Sequence, residues 1–595
     1  MAAAFPHFCV GVLVVLVVAG CDRRAEVPDP TVTTTADLVL TDARVYTFNW
    51  PDPDEEGVPA PDAPLRNGEW VPDAGAVAIR GDRILAVGDM ADIRSFVGEQ
   101  TRVLDLAGAT VIPGLVESHG HYNELGEQAD RVDVSKARTV EEMAALVTGR
   151  LATATAGEWI VGSGWDEGAW ADRLPTEGPI SAVSPDNPVV LMGRRGFGLL
   201  ANRQALDIAG ISAETPSPSG GEVVKDGAGE PTGVLLNRAR SLILDVIPAA
   251  SLEKKKRMLA YGLNAIARAG YVTGHHAGVY ADYMPAYEAL AAEGKLPVRM
   301  ELMIAARPEN QALVETWIDR GPTPADDRML WVRGVKAYYD GSLGSRGARL
   351  LADYSDRPGH RGVSGDEYGF PEELVTRAIR AGFQVGVHAI GDAGNRAVLD
   401  YYERVLADTP HPEVRHRIEH AQIVHPDDFA RFGRLGLVAS MEPGHAVEDS
   451  PWAESRVGPD RIRGGYAWRS MRRAGAGLIF NSDLAGTDYD IFYGLHCAVT
   501  RSDRDGNPPG GWYPEQAVTL EEALRAYTVW PARASGKEHL TGTLTPGKWA
   551  DVTVLSIDPF TAAAGDPHSL LDGRVLLTVV AGRIVHDARG VSSGS

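Results

Sequence analysis

"PGLVESHGH", Pro113 to His121, is the stretch from which the rest of the chain is read. Leu115 and Val116 open an apolar strand run, and two histidines close it one residue apart. Side chains on a strand alternate with period 2, so His119 and His121 leave the same face. Imidazole is a common ligand for borderline divalent metals such as Zn. Alone, a His-x-His is weak evidence, because two surface histidines look the same. Four later stretches built alike give it weight: "GVKAYYDGSLGSR" (Gly334 to Arg346), "VGVHAIGD" (Val385 to Asp392), "RHRIEHAQ" (Arg415 to Gln422) and "IFNSD" (Ile479 to Asp483). Each begins as an apolar run and ends in a residue able to bind a metal. Five in series predict an α/β chain: a parallel (β/α)8 barrel whose strand ends converge on one site.

Spacing supports the barrel. Lys336 to His388 is 52 residues, His388 to His420 is 32 and His420 to Asp483 is 63. A βα unit takes about 30 residues when eight fill roughly 250. The intervals therefore read as one unit with an enlarged loop, one unit, and two units. If His121 ends strand 1, the five stretches fall on strands 1, 4, 5, 6 and 8. From His121 to Lys336 is 215 residues, far more than the intervening units need, so a large insertion is expected between strands 1 and 4, about Glu124 to Pro248. Around this barrel (112–536), strand-like runs near both ends predict a composite β-sandwich from 36–111 and 537–590. "GTLTPGKWADVTVL" and "LLTVVAGRIVHD" are its C-terminal share. Asn49 to Ala74, rich in Pro, Asp and Gly, reads as a long surface loop.

The chain has 595 residues, 44% of them hydrophobic and 23% charged, ordinary for a globular protein with a large core. A net charge of −22 argues against nucleic acid as a partner, since phosphate binding needs a basic face. It reads as solubility. A small-molecule substrate is the expected partner. Three cysteines are too few for a disulfide framework. Cys9 lies in an apolar leader, and Cys497 reads as a packed residue.

The leader runs from Val10 to Val18, long enough for a signal-peptide core and too short to span a bilayer. Val18-Ala19-Gly20-Cys21 resembles a bacterial lipobox, although no Lys or Arg precedes the apolar run. That resemblance implies cleavage before Cys21 and a lipid anchor on it. Asp22 would favour retention at the inner membrane of a bacterial envelope. The alternative is an ordinary secretory leader with release to the periplasm. Asp22 to Thr35 then reads as a tether.

His388 and His420 each close a strand run and are candidate metal ligands. Asp483 combines metal binding with the ability to accept a proton from water. Lys336 is unusual, because a lysine at the inner end of a strand is unfavourable unless paired. Carboxylated, it becomes an anion that bridges two metals; otherwise it binds a substrate anion or pairs with Asp340.

In the order His-x-His, Lys, His, His, Asp the chain resembles the amidohydrolase superfamily. "GVKAYYDGSLGSRGA", "HAIGD", "RHRIEHAQ" and "GTLTPGKWADVTVL" resemble its amidohydrolase-3 branch, which includes N-substituted formamide deformylase-like enzymes. The resemblance spans roughly Ala36 to Asp587. It implies a distorted barrel with a composite β-sandwich, and hydrolysis of a carbon–nitrogen bond other than a peptide bond. It makes His119, His121, His388, His420 and Asp483 ligands of one or two divalent ions, zinc first, with Lys336 as the bridge when two bind. Asp340, Arg346, Asp392, Gln422 and His445 become pocket residues, His445 a catalytic one beside Asp483, and Trp165 of the insertion a further substrate contact. Two departures stand out. Glu117 replaces the usual Asp two residues before His119, and Arg195-Gly196-Phe197 stands where the branch carries Asp-Gly-His. A deaminase, a cyclic-amide hydrolase, and a membrane-tethered binding protein without catalysis are the competing expectations.

Overall fold

Eight apolar runs become the strands of one parallel sheet: β1 (Leu115–Gly120), β2 (Tyr271–Val279), β3 (Arg299–Ala305), β4 (Leu330–Tyr338), β5 (Gln384–Ala389), β6 (Arg417–His420), β7 (Val438–Met441) and β8 (Gly477–Phe480). The computed structural model describes residues 35–165, 174–193 and 198–590. Each strand pairs with its successor, and β1 lies at the other end of the sheet from β8. A bridge between Gly120 and Leu484 brings those ends together, giving a nearly closed barrel. Every residue of β2 and β3 is buried, as expected when both faces of a parallel sheet are covered. His119, Lys336, His388 and His420 lie on β1, β4, β5 and β6, and Asp483 follows β8 directly. This is the strand assignment that the spacing predicts.

The insertion lies between β1 and β2, a narrower place than the interval between strands 1 and 4 that spacing alone could bracket. It leaves the barrel after α1 (Tyr122–Asp130) and returns at α2 (Leu252–Arg268). These two helices touch at their glycines. A Cβ on Gly126 would lie 1.9 Å from Met258 O, and one on Gly262 would lie 2.0 Å from Tyr122 O. Between them six strands form a mixed sheet that runs from Val132–Asp133 to Pro231–Asn237. Both its faces carry apolar clusters, one around Val147 and Trp165, the other around Leu206 and Leu235.

Two further sheets come from the chain ends. One has four strands, all between Leu38 and Asp105; the other joins Arg44–Val45 and Thr110–Pro113 to Val552–Leu555, Val575–Val580 and Arg583–Asp587. Leu40, Val77, Val111, Val554 and Leu577 pack between them. Pro113 ends a strand of this sandwich and, after Gly114 alone, Leu115 opens β1, so sandwich and barrel are continuous.

Asn49 to Ala74 departs from the expected surface loop. It holds a short hairpin (Leu65–Arg66 with Glu69–Trp70), and Trp50 is only 8% exposed. Buried Arg525 explains the difference. It donates to Trp50 O (2.9 Å), Pro51 O (3.0 Å) and Asp52 Oδ1 (2.9 Å), while Glu521 accepts from Trp50 Nε1 at 2.8 Å. Phe48 stacks on Trp50, and Trp70 on Phe560. The segment is a strap held against the barrel by charge and aromatic contact.

Cys497 is fully buried, with its thiol pushed up to about 12 by burial, so it is packed as expected. The signal peptide (1–21), nearly all of the tether and Arg195-Gly196-Phe197 lie outside the described residues. Among the described residues, no helix is long and apolar enough to cross a membrane.

Candidate metal centre

Period 2 along β1 sends Glu117 and His119 inward, and His121 follows at the strand end. His119 Nε2 and His121 Nε2 each lie 3.4 Å from Asp483 Oδ1. Lys336 Nζ is 3.2 Å from His119 Nε2. The His388 and His420 rings are 4.6 Å apart, and the His119 and His420 rings 5.1 Å. Donor atoms of His119, His121 and Asp483 fall within 4.8 Å of one another, as do those of His420, His445 and Asp483. Asp483 therefore belongs to both groups. Its φ is 54° and that of His420 is 71°, a backbone region uncommon for residues other than glycine, which Asp and His enter more readily than most.

The other nitrogen of three rings is occupied. Glu419 Oε2 lies 2.6 Å from His119 Nδ1, and Glu442 Oε2 lies 3.1 Å from His420 Nδ1 and 3.4 Å from His445 Nδ1. A carboxylate that accepts the Nδ1 proton leaves the Nε2 lone pair free and fixes the ring. Glu419 is itself held by Arg417, whose Nε is 2.7 Å from Oε1. The sequence reading missed Glu419, Arg417 and Glu442. Their signal was present: Arg417 and Glu419 alternate along β6 inside "RIEH", and Glu442 precedes His445 by one helical turn.

Protonation states follow from burial and neighbours. Burial, aided by Lys336, holds the His119 imidazole down at about 4. Burial and the neighbouring His420 hold His388 well below the usual imidazole range. Burial works against ionised Asp483, yet His119 and His121 outweigh it and hold the carboxyl well below its usual range. Burial lowers the Lys336 amine to about 8. Burial also opposes protonation of His445, but its contact with Glu442 wins and raises the ring to about 9. Neutral His119 and His388 beside ionised Asp483 are in the states that metal ligation requires, so these donors fit a divalent cation, whereas protonated His445 is placed to donate rather than to ligate.

A sequence profile described as the amidohydrolase family matches residues 102–586. The chain belongs to the amidohydrolase family. This amidohydrolase is 32% identical over 530 residues to Protein LONG AFTER FAR-RED 3 of Arabidopsis thaliana, covering 86% of this chain and 88% of that one. It is 29% identical over 552 residues to N-substituted formamide deformylase of Arthrobacter pascens, covering 87% and 96%. Among solved structures, an uncharacterized metal-dependent hydrolase from Pyrococcus furiosus superposes with a TM-score of 0.68 at 26% identity, covering 88% of this chain and 99% of that one.

In this amidohydrolase, Gln422 and His445 line a cavity of about 370 Å³ together with the candidate metal donors, Lys336 and Trp452. Four other expected pocket residues are placed elsewhere. Asp340 is buried beneath the cavity floor, where Oδ1 accepts from Ile390 N (2.9 Å) and Oδ2 from Arg349 N (2.8 Å) and Gly391 N (2.9 Å). It ties the loops after β4 and β5 together, and its nearest contact with the donors is 3.6 Å to His388 Nε2. Arg346 turns away to make a two-pronged ion pair with Asp356 at 3.1 and 2.7 Å. Asp392 is buried at the start of α3 (Asp392–Leu406) and accepts from Leu351 N at 2.8 Å. Trp165 is wholly buried in the insertion core and donates to Leu191 O at 2.8 Å. Residue type and motif position suggested substrate contact for all four; backbone donors and packing claim them instead. Glu117 likewise serves closure of the barrel, accepting from Ser482 Oγ (2.7 Å) and Ser482 N (3.0 Å) beyond β8.

Proposed function

We propose that this chain hydrolyses a non-peptide carbon–nitrogen bond, of the amide or N-substituted formamide type, with a divalent metal as cofactor. One observation carries the reading. Histidine and aspartate donors from β1, β6 and the segment after β8 converge, and the outer nitrogens of His119 and His420 are held by buried carboxylates. The relative named as a formamide deformylase supports the bond type. His119, His121, His388, His420 and Asp483 are the residues to hold the metal, with zinc the first candidate. A cation bound there polarises a carbonyl oxygen and lowers the pKa of water from near 16 to about 7.

The chain's own groups do the rest. Asp483, kept ionised, takes a proton from the attacking water and hands it to the leaving nitrogen. His445 stands 4.0 Å from Asp483 Oδ2 and, protonated through Glu442, faces the cavity as a donor to developing oxyanion charge. Lys336 is 1% exposed, and its lowered amine pKa provides the neutral form that reacts with carbon dioxide. The resulting carbamate is an anion suited to bridging two metals. Labelled bicarbonate should then give a carbamate carbon signal by NMR, lost in Lys336→Ala. Metal analysis should find two equivalents falling to one or none in that variant. One equivalent in both proteins returns Lys336 to substrate binding, and no tightly held metal in either sinks the hydrolase reading.

The Val18 to Cys21 lipobox supports a lipid anchor at the cell envelope. Cys21→Ser should abolish metabolic labelling with palmitate and release the protein from membranes; unchanged membrane association would end that proposal.

A further inference from the structure

A second cavity, of about 160 Å³, lies beside the metal cavity and shares His121 and Tyr338 with it as common walls. Glu124 reaches it from α1, and His276 and Tyr280 reach it from the end of β2. Gly278 keeps the two spaces close, since a Cβ there would come within 3.0 Å of the Tyr338 hydroxyl. His276 is 2% exposed. Its Nδ1 shares a 2.6 Å hydrogen bond with the Tyr287 hydroxyl, while Nε2 has no hydrogen-bond partner among the described residues. An imidazole nitrogen that opens to a cavity without a protein partner is free to bond a ligand or water held there.

The charges point to its sign. Apart from the candidate metal donors, Lys336 and protonated His445, the charged residues that line the two cavities are Glu124, Glu448 and Asp449. His445 faces Glu448 and Asp449 in the metal cavity, and Glu124, the candidate donor His121 apart, is the charged residue that lines the side cavity. Glu124 and Glu448 have no ion pair among the described residues, and Asp449 accepts only from the uncharged Tyr466 and Gln422. Nearby arginines are already matched: Arg346 and Arg456 by Asp356, Arg504 by Asp488 and Asp490. Glu448 and Asp449 also close the helix Pro443–Asp449, the end where the helix dipole disfavours carboxylates. Three cations already lie over rings of the side cavity, Arg307 3.9 Å and Lys336 5.0 Å from the Tyr338 centroid and Lys255 5.1 Å from that of Tyr283, and none of them lines it.

We propose that the substrate carries, besides the bond that is cut, a positively charged nitrogen group that sits in the side cavity against Glu124, His276 and the tyrosine rings. The inference rests on the hydrolase reading above. An ammonium supplies donors to the Glu124 carboxylate and to His276 Nε2, in the tautomer whose Nδ1–H donates to Tyr287. Tyrosine faces attract cations as well.

The test uses the metal-loaded protein and three formamides of equal length: N-formyl-1,4-diaminobutane, N-formylpentylamine and N-formyl-4-aminobutanoate. The cationic amide should exceed the neutral one about tenfold in kcat/KM, with the anionic one lowest, as expected of charge complementarity. Glu124→Gln should cut the cationic-to-neutral ratio several-fold, and Glu448→Gln should cut it less. A ratio near one in the wild type, or a ratio lost only in Glu448→Gln, overturns the proposal. Calorimetry with butane-1,4-diamine and butane-1,4-diol reads the cavity without turnover. If no formamide is hydrolysed, the hydrolase reading fails alone: diamine binding that is tighter than diol binding and lost in Glu124→Gln still upholds the cation site. Equal binding of the two overturns it.

Discussion

At Asp483 and His420 the chain adopts positive φ where two candidate donors leave the ends of β8 and β6 of one barrel. The role proposed for Asp483 makes Asp483→Asn lose turnover by about 10²–10⁴-fold, the usual worth of a positioned acid–base group. The far-ultraviolet circular dichroism of that variant should match the wild type. Turnover near the wild-type rate would remove Asp483 from the mechanism. Glu419 does not line the metal cavity, yet it holds His119 Nδ1 at 2.6 Å. Glu419→Gln should weaken metal affinity about 10–100-fold in chelator competition. An unchanged affinity would mean that β6 alone fixes the ring. His119, His121, His388 and His420 were legible as candidates because each closes an apolar run, whereas Glu419 lies within one and reads as an ordinary strand residue. Asp340 and Asp392 were misread for the converse reason: their motif looks catalytic, and only the loop backbone shows that its N–H groups occupy them.

Among elements, the strap from Asn49 to Ala74 depends most on one side chain. Arg525 is 1% exposed and satisfies two strap carbonyls, Asp52 and Glu521. Arg525→Met should lower unfolding free energy by about 3–5 kcal/mol, because it leaves buried carboxylates and carbonyls without their donor. Denaturant unfolding measures this; a loss under about 1 kcal/mol, the scale of a surface pair, would show that the strap adds little. Pro, Asp and Gly in this segment signalled a loop correctly. Its burial was not legible, because the partners Glu521 and Arg525 lie more than 450 residues away in sequence. The insertion was legible in size from the spacing of the barrel strands. Its exact junction was not, because the glycine contacts that bring α1 against α2 join residues more than 130 positions apart.

Across the whole molecule, a line of buried polar groups runs along the barrel interior. Lys537 pairs with Glu301 on β3, His275 on β2 meets Arg417 at 3.1 Å, and Arg417 holds Glu419, which holds His119. Barrel interiors are usually filled by branched apolar side chains, so this one trades hydrophobic packing for fixed charge around the donors. Burial opposes ionised Glu301, but Lys537 overcomes it and draws the carboxyl down to about 2 from its ordinary 4.5. Between those values the unfolded chain binds the extra proton. Stability from this carboxylate is therefore complete above about pH 4.5 and is lost as pH falls toward 2. Lys537 stays charged throughout that window. The stability gap between wild type and Glu301→Gln should be widest above pH 4.5 and narrow toward pH 2; a gap independent of pH would contradict the pairing.

The sequence by itself determined the parallel barrel, the strands that carry the donors and the presence of a large insertion. Strand period and βα spacing are local properties that apolar runs and intervals display directly. Tertiary structure alone decided which acids face the metal donors and which serve backbone N–H groups. It also decided that the Pro-rich segment is an anchored strap and that a second cavity shares a wall with the first. Those outcomes depend on contacts between residues tens to hundreds of positions apart, where burial and hydrogen bonding assign each side chain one of several roles its chemistry allows.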